Sequence, residues 1–531
     1  MTLEKQKNRI ENTENGFVRG ALSLTVAVII VKIISYIYKV PLSHVLGDGG
    51  MGYFNSAYTV FTFFYMLCSG GIPRAVSIVI AEMNATSMPS ERKRALGYIM
   101  SFFAVVGLCA ALVLLFSAGL ISKAIGNSGA TLSMLCIAPS LLFVALSGVA
   151  RGYLTGVSNM IPVAFSQVIE GVVKFVFGML LALLGVRLGF DLPAISAMTI
   201  SGVTLGALAS SIYLLFYTKT KKTSENTEQN FQKIGAKNII KRTVKLAAPI
   251  TLSSAIMGMA GLIDLGFVMQ RLADVGYTEL EAGALYGNFT TLVVPMLNLV
   301  MALVTPLTTA ALPMFATCYS LKDTESLNKK AEDLIGLCLF LTIPSAIGIS
   351  LFSEEVLSML FKPESAKIAA PLLVLLAPSF VFLPLLTMIN TILEATSHTK
   401  APLISMSVGA VVKGIVSYIL VGTDNFGIAG APIGTSISYG ISFLISFILM
   451  MYLSGVGLSV FKGFIGPALI GGASVGCAKL LYNALIFRIN SSLLLIICIT
   501  LAVLMYFVIS SIFAKLKKKR WYLRSKSTKM T

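Results

Sequence analysis

Charge is scarce in this chain: Asp, Glu, Lys and Arg together make up 12% of 531 residues, against 56% apolar ones. Soluble domains carry about twice that charge, so an ordinary water-soluble multi-domain protein is excluded. Acids are scarcer than bases, 23 against 41, and only two histidines and one tryptophan occur. His44 and His398 fall at helix ends on opposite membrane faces, which excludes a shared metal site. The seven cysteines (Cys68, Cys109, Cys136, Cys318, Cys338, Cys477, Cys498) mostly lie in apolar stretches without C-x-x-C spacing. Neither a disulfide framework nor a zinc site is indicated. Walker A, G-x-S-x-G and H-E-x-x-H motifs are all missing, so no cofactor is expected and an enzymatic role is not. The chain has no ATP site of its own, and its energy must come from gradients, potential or substrate disposal.

Long apolar runs are what the chain has instead. A backbone in hydrocarbon must bond to itself, so runs of about 20 apolar residues read as transmembrane helices. Breaks at charged, Pro, Gly and Asn residues predict an all-α polytopic membrane protein of about 14 helices. They fall near 17–40, 52–83, 95–121, 129–151, 162–186, 193–217, 243–270, 285–316, 332–351, 368–394, 401–421, 428–453, 461–486 and 492–514. Met1 to Gly16 is polar, and the first apolar segment lacks a small-residue cleavage site, so it is expected to stay as an anchor.

An even count puts both ends on one side. With that side cytoplasmic, inner segments hold about 29 of the 41 Lys and Arg, Arg151 among them as a residue following helix 4. Outer loops hold Lys123, Arg187, Arg271, Lys362, Lys367 and Arg488. This asymmetry orients the chain and accounts for the net charge of +18 without nucleic acid. Six cations remain within helices: Lys32, Lys39, Arg74, Lys174, Lys413 and Lys479. The expected organisation is a cytoplasmic N-terminus (1–16), an N-lobe (17–217), a polar cytoplasmic linker (218–242) and a C-lobe (243–453). Two further helices (454–514) and a basic tail (515–531), suited to anionic lipid, complete it.

A repeat supports two six-helix lobes. Pro139-Ser140 recurs as Pro378-Ser379, and Val172-Val173-Lys174 as Val411-Val412-Lys413, both at an offset of 239 residues. Asn159 to Pro162 opens helix 5 as His398 to Pro402 opens helix 11. Six-helix units share orientation, so their pseudo-twofold axis runs along the membrane normal, with the substrate cleft expected between them.

Intramembrane cations are the first candidates for chemistry, because burying them costs at least a few kcal/mol. Lys32 and Lys39, seven residues apart, share a helix face. Lys39 either snorkels to the headgroups or joins Lys32 in lining the cleft. Gly47 to Tyr53 reads as a hairpin and not a phosphate loop, since no strand precedes it and no Lys-Ser/Thr follows. In Ser69-Gly70-Gly71-Ile72-Pro73-Arg74, the two glycines and Pro73 weaken the helix and suit a hinge. Arg74 bonds either a phosphate oxygen or a carbonyl or Glu82. Glu170 and Lys174, spaced i, i+4, are read as a pair that neutralises itself. Asp264 is a lone acid that is protonated, holds a cation or meets a Lys, and is the candidate for Na+ or H+ coupling. Pro295, Asn298, Pro306 and Pro313 predict a long kinked helix 8. Lys413 and Lys479 either snorkel or sit in a polar interior.

The stretch from Lys32 through Gly47-Asp-Gly-Gly-Met-Gly-Tyr53, with Gly71-Ile-Pro-Arg-Ala-Val-Ser77, resembles the stage V sporulation protein B group of flippases. Arg151-Gly-Tyr-Leu-Thr-Gly156, Ala284-Leu-Tyr-Gly287 and Gly427-Ile-Ala-Gly-Ala-Pro-Ile-Gly434 extend the resemblance over nearly the whole chain. That group carries polysaccharides and lipid-linked oligosaccharides, and belongs with MurJ-like flippases to the multidrug/oligosaccharidyl-lipid/polysaccharide exporter superfamily. The resemblance implies two six-helix lobes, often with two extra C-terminal helices, around a cationic cavity that alternates between faces. MurJ-type members carry arginines in helices 1, 2 and 8. Here Lys32 stands at the first place, Tyr65-Met66 at the second and Asn288-Phe289 at the third, which implies a cargo related to lipid II. The expected function is translocation of an undecaprenyl-pyrophosphate-linked glycan across the bacterial plasma membrane, by a monomer whose partners are that lipid-linked sugar and membrane lipids. Lys32, Lys39 and Arg74 would receive the diphosphate. The alternatives are an organic-cation antiporter of the same fold and a membrane glycan polymerase or ligase.

Overall fold

The computed structural model describes residues 38–85, 89–157, 159–220, 235–321, 323–396, 398, 400–457, 465–486 and 490–527. Lys32, most of the first predicted helix, the Glu82 side chain and the bulk of the 218–242 linker lie outside the described residues. Those described are helical and contain no strand. Ten helices among them are long and apolar enough to cross a membrane, or up to twelve if two bent pairs each count as one span. Surfaces agree with that reading: Phe116 is 84% exposed and Leu480 71%, a liability in water and ordinary against lipid.

By packing, the chain divides into two compact units. The first holds residues up to Thr291 with Ser417–Ile428. Its helices are α1 (residues 38–69), α2 (Ile72–Ala85), α3 (Pro89–Ile125), α4 (Thr131–Ile137), α5 (Ser140–Gly156), α6 (Ile161–Arg187), α7 (Leu192–Thr220), α8 (Ala236–Asp274) and α9 (Glu279–Asn288). The second holds Leu292–Val416 and Ala429 onward. Its helices are α10 (Val294–Ser320), α11 (Thr324–Leu351), α12 (Ser353–Leu360), α13 (Pro363–Leu376), α14 (Ser379–Ala395), most of α15 (Lys400–Val421), α16 (Gly430–Ser454), α17 (Ile465–Leu485) and α18 (Ser491–Ser527).

The helical stretch Tyr38–Ala81 has 44 residues. Straight, it would run about 66 Å, twice the hydrocarbon thickness, so it must turn. A single turn residue stands in its glycine-rich part: Gly47 adopts φ +64° inside a stretch, 38–69, that is helical throughout. The hairpin expected over 47–53 is therefore helix on either side of Gly47. A second interruption falls at Gly70-Gly71, as the sequence predicts. A Cβ on Gly71 would sit 2.6 Å from Thr251 Oγ1, and one on Gly70 2.6 Å from the Ser254 Cβ. These glycines let α1 and α2 approach α8, the small-residue contact that membrane helices use for lack of a hydrophobic drive between them. Gly152 and Gly156 of α5 do the same against α2, meeting Pro73 O and Ser77 O. Around this seam lies a core that includes Ile72, Val76, Ile80, Ile99 and Val149.

Predicted helices 4 and 10 each break in two. Ser128–Ile137 meets Ser140–Gly156 at 41°, and Pro363–Leu376 meets Ser379–Ala395 at 45°. Pro139 and Pro378 cause both bends, having no N–H and clashing with the preceding turn. The offset of 239 persists in the helix bounds: α5 and α14 are 17 residues each and start and end 239 apart. Each bend exposes a carbonyl, and a neighbouring hydroxyl takes it. Thr204 donates to Cys136 O at 2.8 Å, and Ser436 donates to the corresponding Leu375 O at 2.9 Å. A carbonyl at membrane depth needs such a partner, since lipid offers none. At the C-terminus α18 continues to Ser527, past the predicted end at 514, because nothing in Lys515 to Ser527 breaks a helix.

Candidate functional site

Arg151 was expected in a loop following helix 4. It lies inside α5, with a side chain only 15% exposed. Its Nη2 donates to Glu170 Oε2 of α6 at 2.6 Å and to Ser210 Oγ of α7 at 2.8 Å, while Nε donates to Ser166 Oγ of α6 at 3.0 Å. Three helices are thus joined by one guanidinium, whose fixed fork suits several acceptors at once.

The pairing of Glu170 with Lys174 is therefore corrected. Among the described residues Glu170 is bonded to Arg151, and no carboxylate pairs with Lys174. The Lys174 ammonium instead lies over the Tyr58 ring, 4.9 Å from its centroid, and 6.0 Å from that of Tyr38. Spacing along one helix makes a pair available, but a guanidinium on a neighbouring helix that bonds Glu170 and two serines at once outcompetes it. Tyr58 belongs to an aromatic column on α1, stacked 6.1 Å from Phe54 and followed by Phe61 and Tyr65.

Lys39 does not snorkel to a surface. Its Nζ donates to Thr290 O at 3.0 Å, and it lies close enough to Lys174 for the two charges to repel. Thr290 sits in a π turn, Phe289–Val293, where the helix widens and its carbonyls are redirected. Beside it Asn55 donates to Thr291 Oγ1 at 2.6 Å, and Asn288 to Asp48 Oδ2 at 3.1 Å. Asn288, in the region where the resemblance implies an arginine in MurJ-type members, thus faces an acid. Neither Gly52 nor Gly287 has room for a side chain here: a Cβ on Gly287 would lie 2.8 Å from both Asp48 O and Gly52 N, and one on Gly52 would run into the Gly283 carbonyl.

Arg74 is exposed in the first turn of α2. Asp264 of α8 is buried, with Ser417 Oγ 3.5 Å from its Oδ1. Arg271, predicted in an outer loop, is in the last turn of α8; it donates to Tyr418 O at 3.1 Å and lies 4.6 Å from that ring's centroid. In the second unit Lys479 of α17 pairs with Glu355 and lies over Phe352 and Tyr482. Within the described part of the first unit the structure thus gathers Lys39, Lys174 and the Arg151–Glu170 pair, while Lys32 is outside its reach. Sequence reasoning missed Arg151 as an interior residue. Its own stretch carries no signal for this, since the acceptors that hold it stand on α6 and α7.

The described residues thus form a helical, multiply bent membrane fold with basic groups in its interior. The family model "Polysaccharide biosynthesis protein" matches residues 17–318, and the chain belongs to that family. The MatE family model also matches residues 249–419. Among curated relatives, stage V sporulation protein B of Bacillus subtilis is 26% identical over 419 residues, 78% of this chain and 80% of its own length. The lipid II flippase MurJ of the same organism is 24% identical over 460 residues, 83% and 84% of the two chains. In fold the chain is similar to the structure of lipid II flippase MurJ in an inward closed conformation. The TM-score is 0.71 at 18% identity, covering 93% of this chain and 98% of that one. The protein is a multi-pass membrane flippase or exporter of polysaccharide biosynthesis.

Proposed function

We propose that this protein carries an undecaprenyl-diphosphate-linked glycan from the inner to the outer leaflet of a bacterial plasma membrane. A sugar head bearing diphosphate cannot cross hydrocarbon unaided, because its ionised groups would lose their hydration. A helical interior that supplies cations lowers that barrier. The observation that carries this reading is a pair of interior lysines in the first unit: Lys39 and Lys174 lack carboxylate partners among the described residues, and Glu170 is occupied by Arg151. The names of the relatives, a lipid II flippase and a sporulation protein, support a cell-envelope cargo. Lys32, Lys39 and Arg74 contact the diphosphate, the polyprenyl tail stays in lipid, and two six-helix lobes rock about the break at Gly70, Gly71 and Pro73 in alternating access. Asp264 couples the cycle to Na+ or H+, a monomer is the working form, and both termini are cytoplasmic.

The MatE match and the buried Asp264 favour a second reading, an organic-cation antiporter. Such cargo needs acids facing it, which the first unit supplies poorly. One experiment separates the two. Purified protein in vesicles is given an undecaprenyl-diphosphate-linked disaccharide, and arrival of headgroup in the opposite leaflet is timed. The triple variant Lys32→Gln, Lys39→Gln, Arg74→Gln should lose nearly all flipping. Full activity in that variant refutes the diphosphate assignment, and ethidium transport with no lipid flipping by the wild type establishes the antiporter.

A further inference from the structure

We infer that Lys174 contacts the anionic head of the cargo and that Arg151 is a positioning residue that keeps Lys174 uncompensated by holding Glu170. This rests on the diphosphate reading above and names a group that reading did not. Glu170 and Lys174 are one turn apart on α6, in the order that favours their pairing. Left alone they would neutralise each other. Arg151 prevents this by taking Glu170 at 2.6 Å, with Ser210 at 2.8 Å and Ser166 at 3.0 Å completing its hydrogen bonds. Lys174 then rests on the Tyr58 face, an attraction that holds an ammonium without cancelling its charge. Near it the Tyr38 hydroxyl is fully buried and has no hydrogen-bond partner among the described residues. Two donors without acceptors among the described residues meet at one place, which is what an anion requires.

The second unit shows that the ion pair is not needed to hold these helices together. At the offset of 239 residues, Asn390 stands for Arg151, Gly409 for Glu170 and Ser405 for Ser166. There the Ser446 hydroxyl joins Asn390 Oδ1 at 2.8 Å and Ser405 Oγ at 2.6 Å, a neutral network in the same helices of the repeat. A buried ion pair seldom outdoes such a neutral arrangement in stability, so its presence in one copy alone points to a task beyond packing.

The test uses full-length protein in lipid nanodiscs, titrated with undecaprenyl diphosphate and, in parallel, with neutral undecaprenol. Wild type should prefer the diphosphate. Lys174→Gln should lose roughly tenfold in affinity for it, the worth of one charge-assisted contact. Arg151→Gln should lose as much, because freed Glu170 now neutralises Lys174. Adding Glu170→Gln to Arg151→Gln should restore tight binding, which neither a scaffolding role nor direct contact by Arg151 would allow. A double variant as weak as the Arg151 single variant, or a Lys174 variant that binds normally, overturns the inference while leaving the function intact. A wild type with no preference for diphosphate overturns both. If Arg151→Gln fails to fold, Lys174→Gln against Glu170→Gln decides: weaker binding in the first and undiminished binding in the second supports the inference, and any other pattern overturns it.

Discussion

Asp323 illustrates how one residue sets a local boundary. It caps α11 by accepting the Ser326 N–H at 2.9 Å, and that hydrogen bonding holds its carboxyl below the ordinary aspartate range. A lowered folded-state pKa means stability present above the unfolded value and lost as pH falls through the folded one. Asp323→Ala should therefore speed amide exchange in the first turn of α11 at pH 7. The gap from wild type should close as the pH drops below 4. A gap independent of pH would assign the effect to helix propensity and not to the charged cap. At the same scale, Arg151 and Lys174 show that a charge acquires its role from which neighbour reaches it first.

Helices are positioned here by what they lack. Gly70 and Gly71 break the run between α1 and α2 and admit α8, while Pro139 and Pro378 bend two spans by 41° and 45°. Gly71→Ala places a methyl 2.6 Å from Thr251 Oγ1, so α2 and α8 must part. The expected cost is about 1–3 kcal/mol, read as a lower melting temperature in detergent. Unchanged melting would mean that the contact gives way freely, and would favour a hinge over a seam. These features explain how much of the fold was legible. Proline and glycine act on their own backbone, so the breaks at 139, 378 and 70–71 could be read from the string. The lodging of Arg151 could not, because the acceptors that hold it, Glu170, Ser166 and Ser210, come from two other helices.

Across the whole molecule, the cation asymmetry argues for cytoplasmic termini. Single cysteines at position 10 and position 525, in a background without the native seven, should resist a membrane-impermeant maleimide in intact cells and react once the cells are opened. Labelling of either in intact cells would reverse the orientation or make the number of spans odd. Packing and repeat divide the chain differently. The repeat offset separates helices near the polar linker, whereas packing keeps α8 and α9 with the first unit because α8 meets α2 and α3.

The sequence by itself determined that the chain lives in a bilayer, that it is helical, where several helices break and that basic residues lie within apolar spans. These follow from local rules: hydrocarbon compels internal hydrogen bonding, and proline and glycine disrupt it where they stand. Only the tertiary structure decided which acid meets which base. Glu170 had a good partner four residues away and took Arg151, nineteen residues away, because a guanidinium satisfied by three acceptors is better shielded from lipid than an ammonium satisfied by one. Spacing along one helix cannot foresee that competition, since it is settled by what two other helices bring alongside.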